Sequence, residues 1–323
     1  MEVEHGINHR ALLFVTPESY MDAKLSESLI VDAVYKNSSR PLSPSLSATG
    51  LRTNDLKFRA LGVFPQLRTA EEFLLNSRFV RDDSETILSI QEYFRDSSMV
   101  MLSEADNALA SPSAIQIPQS PEITMSLKNA LKGRRSTRIF TGDVSSLDTV
   151  AALLRCGSGK SGQVEYELTE GCHCELNLRT AASAGGLYPV DCLLVALKVD
   201  GLDRGVYGYN PGEDCLDPHY AITDAVLASV SVPDNVIAIS QASCLIILVA
   251  RFWKSMRKYG PRGIRFIFQE AGAISQNIHL TAVALGLGTT DNASFYDDEL
   301  DEALGFDGLH SSAIHMIVVG SPS

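Results

Sequence analysis

The chain is 323 residues long, 45% hydrophobic and 20% charged, with a formal net charge of −12. Such a length exceeds the usual single-domain size and predicts one large domain, or a catalytic domain with an extension. The acidic balance argues against a general nucleic-acid binder, which needs a basic face to neutralise phosphates, and no run of residues stays apolar for the length a membrane span requires.

The opening residues, MEVEHGINHR, lack a basic end followed by an apolar stretch, so no secretory signal is expected. Six cysteines are few for this length and most stand in apolar or strand-like surroundings. That usage predicts a reducing, cytoplasmic compartment rather than a disulfide framework.

The chain from 1 to about 120 reads as an N-terminal extension. Leu12 to Val15 suits a strand, Ala23 to Val34 a helix, and the Ser- and Pro-rich stretch from Asn37 to Gly50 a loop. Helical spacing returns between Thr69 and Met101, at Phe73, Leu74 and Phe79 and then at Ile87, Ile90 and Phe94. Ala108 to Pro121 has three prolines and no helical period, which makes it the candidate boundary before a domain at 121–323.

Beyond that boundary the pattern is more regular. Ile123 to Lys132 predicts a short helix, and Ser145 to Cys156 a clearer one, with Ser145 as N-cap and Gly157 as its stop. Val190 to Val199 and Cys244 to Phe252 are continuous apolar runs of strand length. Val206–Asn210 and Cys215–His219 flank a Pro211-Gly212-Glu213-Asp214 turn and read as a hairpin. Arg262 to Leu287 is a long helix, Asp297 to Leu304 a short one, and Ala313 to Gly320 the last strand. Strands and helices mix without regular alternation, which favours an α+β sandwich over a doubly wound sheet.

Three stretches carry candidate chemistry. Arg134-Arg135-Ser136-Thr137-Arg138 sets three guanidiniums and two hydroxyls side by side at a helix exit. Guanidiniums offer paired donors to phosphate oxygens, though basic turns are also common on solvated surfaces. Ser183-Ala184-Gly185-Gly186-Leu187-Tyr188 precedes a buried strand; its small residues let backbone N–H groups approach a flat or anionic ligand, with Tyr188 packed along it, or else serve a plain turn. Lys258-Tyr259, in a basic turn punctuated by Gly and Pro, supplies a base if burial disfavours the charged amine; otherwise it is a surface Lys with a packed Tyr.

Two further patterns look functional but lack the context their motifs need. Gly157-Ser158-Gly159-Lys160-Ser161-Gly162 contains GKS but lacks the Walker spacing and follows a helix, so a mobile loop is expected there. Cys172-His173-Cys174 has no second pair at zinc-site spacing, so no metal is expected.

Taken in order, RRSTRIF at 134–140, TAASAGGLYPVD at 180–191, GVYGYNP at 205–211, KYGPRGIRF at 258–266, EAGAISQN at 270–277 and ALGLG at 284–288 resemble the flavin-dependent nitroreductase-like superfamily. Within it they resemble the SagB/ThcOx branch of azoline dehydrogenases. The resemblance covers about residues 125 to 320. It implies a nitroreductase-like α+β sandwich, a central mixed sheet flanked by helices, that binds FMN at the interface of a homodimer.

By the same resemblance Arg134, Arg135, Ser136 and Arg138 contact the phosphate and ribityl chain, and Ser183, Gly185 and Gly186 form the small-residue loop near the flavin. Asn277 falls in the polar part of the central helix, Gly288 and Thr289 lie where the chain passes the ring, and Lys258 and Tyr259 match the Lys-Tyr pair associated with azoline oxidation. The implied activity is oxidation of thiazoline or oxazoline rings to thiazoles or oxazoles in a ribosomally made precursor peptide, with dioxygen as final acceptor and a cyclodehydratase as partner. An NAD(P)H-dependent nitroreductase or flavin reductase, and a non-catalytic flavin-binding subunit, are the competing readings.

Overall fold

The computed structural model describes residues 67–79, 84–95, 110–169 and 172–323. The strand, helix and loop expected between Leu12 and Gly50 lie outside them. The chain divides into two units, Met1–Arg78 and Phe79–Ser323. Of the first, the described part, residues 67–78, holds helix α1 (Leu67–Asn76).

The second unit begins with α2 (Ser84–Arg95). The Pro-rich stretch, described from residue 110, is tied to the sheet and to Arg155. Ile115–Gln116 forms strand β1 and pairs with Leu216 and Cys215, while the Arg155 guanidinium donates to the Ile117 and Pro118 carbonyls and the Ser120 hydroxyl. A short edge strand needs no helical period and tolerates a proline just beyond its end.

Helix α3 (Leu127–Gly133) starts at Ser126, whose hydroxyl accepts the Asn129 N–H. Then come β2 (Ser145–Ser146), α4 (Leu147–Ser158), β3 (Lys160–Thr169) and β4 (Cys172–Arg179). Strands β5 (Val190–Ala196), β6 (Val199–Asp200), β7 (Gly205–Asn210) and β8 (Cys215–His219) lead to α5 (Thr223–Ala228). The chain ends with β9 (Cys244–Arg251), α6 (Phe252–Tyr259), α7 (Gly263–Ala284), β10 (Gly288–Asn292), α8 (Asp297–Leu304) and β11 (Ser311–Gly320).

Seven strands form the central sheet in the order β1-β8-β7-β5-β9-β11-β10. All its ladders are antiparallel; among the described residues the parallel pairings are the β2–β6 pair and the Ser136–Thr289 bridge. The innermost strands explain the continuous apolar runs. On β5 and β9, Cys192, Leu194, Ile246 and Leu248 face one core with α4 and α7, while Leu193, Val195, Leu245 and Ile247 face a second core with α5 and α8. A strand buried on both faces has no polar side to alternate with. Helices on both faces of one sheet make the α+β sandwich that the sequence predicts. Among the described residues no helix is long and apolar enough to cross a membrane.

Two local expectations change. Helix α4 begins one residue later, with Ser146 as N-cap, and runs through Gly157 to Ser158. Gly157 is a contact residue instead of a stop: a Cβ there would lie 2.8 Å from an Ile278 side-chain carbon, so the missing side chain lets α4 press against α7. Nor is 157–162 a mobile loop. The helix passes through Gly159 into β3, which pairs with β4 as a hairpin.

Candidate functional site

Lys258 and Tyr259 stand in the last turn of α6 and not in a turn of irregular chain. Gly260, at φ 56°, ends the helix in a conformation that costs glycine little. Lys254, Ser255 and Lys258 form the buried face of α6. The helix is held close to α7 because Gly263 has no Cβ to strike the Ser255 backbone, and the Ser255 hydroxyl donates to the Gly263 carbonyl at 3.1 Å.

The Lys258 amine is only 1% exposed as a residue and lies 4.8 Å from the Tyr93 ring centre and 5.3 Å from that of Tyr259. Burial penalises the ammonium and pulls its pKa down to about 8. The Tyr259 phenol is pushed up, first by burial. Its ring packs edge-on against Phe266 of α7, centres 4.9 Å apart.

The loop before β5 turns directly onto this pair. Gly185 and Gly186 both have φ 66°. A Cβ on Gly185 would come within 2.7 Å of Lys258 Nζ and closer still to the Tyr259 hydroxyl, whereas one on Gly186 would meet nothing within 4 Å. Gly185 is therefore the point where the loop touches the amine, and Gly186 borders open space.

Tyr188 is one of two described non-glycine residues at positive φ, a conformation worth about 1–2 kcal/mol of strain. Its anchors offset that strain. Its N–H donates to the Ser183 hydroxyl at 2.9 Å, its own hydroxyl accepts the Arg179 N–H at 3.0 Å, and the Arg179 guanidinium lies 5.0 Å from its ring centre. Tyr188 is thus buried as a strut of the loop.

Glu270 of α7, the first residue of the EAGAISQN stretch, closes the back of the loop. Its Oε1 accepts the Val190 N–H at 3.2 Å, while Oε2 is buried without a well-formed hydrogen bond. Burial raises its pKa to about 7 against the opposing pull of Ser183, Arg179 and the Val190 N–H. A carboxyl that changes charge near neutrality, behind a glycine loop and an amine, can hold or release a proton there.

The basic turn assembles elsewhere. Thr137 N–H donates to the Thr289 carbonyl at 2.9 Å, and Gly288 has room for Thr137 only because it lacks a Cβ. Arg135 folds back, donating to the Lys132 and Arg134 carbonyls at 2.9 and 2.7 Å, so its charge complements the end of α3. Arg134 and Arg138 make no side-chain hydrogen bond or ion pair with the described residues, which leaves two guanidiniums available to an anion.

Behind Thr289 runs a polar cluster. The Thr289 hydroxyl lies 2.5 Å from His279 Nδ1, and His279 Nε2 lies 3.0 Å from Asp291 Oδ1, a contact of ion-pair length without linear hydrogen-bond geometry. Ser275 and His315 reach the same oxygen, each at 2.7 Å. Burial alone would raise Asp291, but these donors outweigh it and hold the carboxylate well below its usual range. Asn277 sits between the two regions on α7, its backbone carbonyl accepting the Thr281 hydroxyl.

One chain does not bring all the predicted residues together. Gly185, Lys258 and Tyr259 gather near Phe266, at the beginning of α7, whereas the basic turn follows Gly133, which packs on Val283 near its end. At 1.5 Å per residue, 266 and 283 are roughly 25 Å apart along the axis. The α7 face between them is open at Phe268, Gly272 and Gln276.

Comparison with known proteins agrees with this architecture. The Nitroreductase family model matches residues 131–321. A Methanocaldococcus jannaschii protein named for the nitroreductases is 32% identical over 194 residues, which are 59% of this chain and 88% of that protein. The trifolitoxin-processing protein TfxB of Rhizobium leguminosarum bv. trifolii is 29% identical over 180 residues, 54% of this chain; the match spans 47% of that protein. Among solved structures, one named for the nitroreductases, from Ralstonia eutropha JMP134, superposes with a TM-score of 0.52 at 23% identity, covering 66% of this chain and 93% of its own.

Proposed function

The chain belongs to the nitroreductase family of FMN-dependent oxidoreductases, and from that premise we propose that it is an azoline dehydrogenase acting on a ribosomally made peptide. The observation that carries this reading is the packing of Gly185 against the buried Lys258 amine and the Tyr259 hydroxyl. A buried amine with its pKa drawn down to about 8 is a base at mildly alkaline pH. The name of the trifolitoxin-processing relative supports a role in peptide modification.

The residues present fit FMN. Arg134 and Arg138, without a side-chain partner among the described residues, offer charge to a phosphate, and Ser136, whose backbone bridges Thr289, lies between them in sequence. The Gly185-Gly186 turn leaves space beside Gly186 for a flat ring. Because these two groups sit far apart along α7, the flavin is held between two copies, the basic turn of one meeting the Gly185 loop of the other. A homodimer packed through the open face of α7 satisfies both halves.

When bound, FMN supplies the two-electron acceptor for the hydride that leaves the azoline ring. Lys258 takes the accompanying proton from the ring α-carbon, with the Tyr259 hydroxyl beside it to relay or orient, so that ring dehydrogenation releases one proton and one hydride. Gly185, having no Cβ, leaves the amine its place beside the loop. Packing of Lys258 among Tyr93, Tyr259 and the loop excludes water, which keeps the amine a base. A cyclodehydratase, which makes azolines, is the partner that this substrate requires.

A Lys258→Ala variant that retains FMN tests the reading on an azoline-containing peptide. Loss of ring oxidation supports it, and oxidation at the wild-type rate removes Lys258 as base. Rapid bleaching of the flavin by NAD(P)H with no peptide present would favour a nitroreductase or flavin reductase instead.

A further inference from the structure

We propose that Tyr93 is a positioning residue for Lys258, and that helix α2 forms the roof over the Lys258–Tyr259 end of the site. The inference rests on the reading of Lys258 as the base. Tyr93 lies 165 positions from Lys258 in sequence, yet its ring centre is 4.8 Å from the amine and it is 5% exposed. An aromatic face at that distance attracts an ammonium and, as an apolar wall, keeps water from the neutral amine.

Two more contacts fix α2 to the same helical turn. Ser89 Oγ donates to the Arg257 carbonyl at 2.9 Å, and the Arg257 guanidinium lies 5.7 Å from the Tyr93 ring centre and 4.7 Å from that of Trp253. The end of α6 thus carries two cations, Arg257 and Lys258, both against one ring from α2. Tyr93 also acts on Tyr259, whose phenol it helps to hold protonated after the larger effect of burial. Gly185 limits the amine where the loop touches it and Tyr93 limits it from α2, so that a side chain with four rotatable bonds is left little freedom.

The arrangement assigns a mechanical task to part of a segment whose sequence shows no chemistry. If Tyr93 only filled space, any apolar side chain of similar bulk would serve. If its ring holds the amine, phenylalanine replaces it and leucine or methionine does not.

The test uses the full FMN-loaded chain, with Tyr93→Phe, Tyr93→Leu and Tyr93→Met compared in two assays. Competitive acetylation with acetic anhydride, followed by peptide mass spectrometry, reads the accessibility of the Lys258 amine without turnover. Oxidation of an azoline peptide reads kcat and KM. Tyr93→Leu is expected to raise Lys258 labelling about fivefold and to lower kcat about tenfold at unchanged KM, while Tyr93→Phe stays within about twofold on both. In a Lys258→Ala background, Tyr93→Leu should change the residual rate by less than about twofold, because the two residues act as one unit.

If Tyr93→Leu does not fold, Tyr93→Met, which keeps bulk without a ring, carries the same expectations. Wild-type labelling and kcat in either variant overturn the proposal. So does an equal loss of rate with Lys258 present and absent. If Lys258→Ala keeps the wild-type rate, the base assignment fails, and raised labelling in Tyr93→Leu then supports the contact alone.

Discussion

Gly185 lies so close to Lys258 that a methyl group on its α-carbon would stand 2.7 Å from the amine nitrogen. The next glycine, Gly186, shares the same φ of 66° but faces open space. This pair separates the backbone effect of a substitution from its effect on the amine. Gly185→Ala and Gly186→Ala are each expected to lose about 1 kcal/mol of stability to positive φ. Only Gly185→Ala should also displace Lys258 and Tyr259, lowering azoline turnover about tenfold or more. Equal turnover in the two variants would detach the loop from the catalytic pair.

The Lys258 amine, drawn down to about 8 by burial, sets a pH dependence. A general base works only when unprotonated, so kcat/KM should rise with pH through a limb near 8. Below it, each unit should cost about tenfold. The residual activity of Lys258→Ala should lack this limb. A flat wild-type profile from pH 6 to 9 would show that proton removal by Lys258 is not rate-determining.

Much of this was legible in the sequence, because the signals concerned are local. Strands β5 and β9 are apolar throughout, the Pro211–Asp214 turn marks a hairpin, and α8 is bounded as its pattern predicts. Contacts between distant positions were not legible. Tyr93 sits in a helix with nothing to distinguish it, and Glu270 becomes chemically interesting only because the N–H of Val190, 80 positions away, arrives at one of its oxygens. Gly157 reads as a helix stop until Ile278 is placed against it. The β3–β4 hairpin was hidden for another reason: a glycine-rich approach and charged strands such as Val164-Glu165-Tyr166-Glu167 give no apolar run.

Glu270 should leave a signature in stability. Its pKa in the fold, about 7, lies above the reference value of 4.5, so between these values the folded carboxyl keeps a proton that the unfolded chain has lost. Stability from this group is fully present below about pH 4.5 and is lost as pH rises through 7, a change of about 3 kcal/mol. Glu270→Gln keeps the shape and removes the titration. With FMN held saturating, the wild-type minus variant difference in unfolding free energy should fall by about that amount from pH 4.5 to 8. A difference independent of pH would show that Glu270 titrates normally.

The basic turn predicts unequal roles for its arginines. Arg135 already serves the Lys132 and Arg134 carbonyls, whereas Arg134 and Arg138 have no such side-chain partners among the described residues. Arg134→Ala and Arg138→Ala should each weaken FMN binding about tenfold and reduce its salt sensitivity, as loss of a charge-assisted phosphate contact does. Arg135→Ala should change affinity by about twofold or less. Quenching of flavin fluorescence on binding measures all three. Equal losses would mean that Arg135 swings out to the phosphate.

The open face of α7 carries the last prediction. Phe268 is 52% exposed in the second turn of a helix whose other large apolar residues are buried or half-buried, and Gly272, one turn on, has nothing within 4 Å of where a Cβ would be. Glycine inside a helix costs about 1 kcal/mol relative to alanine, and close approach of a second helix is a use that offsets that loss. Leu127 and Leu131, one turn apart on α3, are 66% and 53% exposed, and α3 packs on α7 through Gly133 and Val283. If two copies join through this face and share the flavin, Phe268→Glu places a charge in the apolar contact and should weaken association by roughly 2–4 kcal/mol. Sedimentation should then show monomer at concentrations where the wild-type chain is a dimer, and FMN should be lost with the dimer although no proposed flavin contact has changed. A monomer that still binds FMN at wild-type affinity would mean that one chain holds the whole cofactor, and that the distance between Gly185 and the basic turn is bridged in some way other than by a second copy.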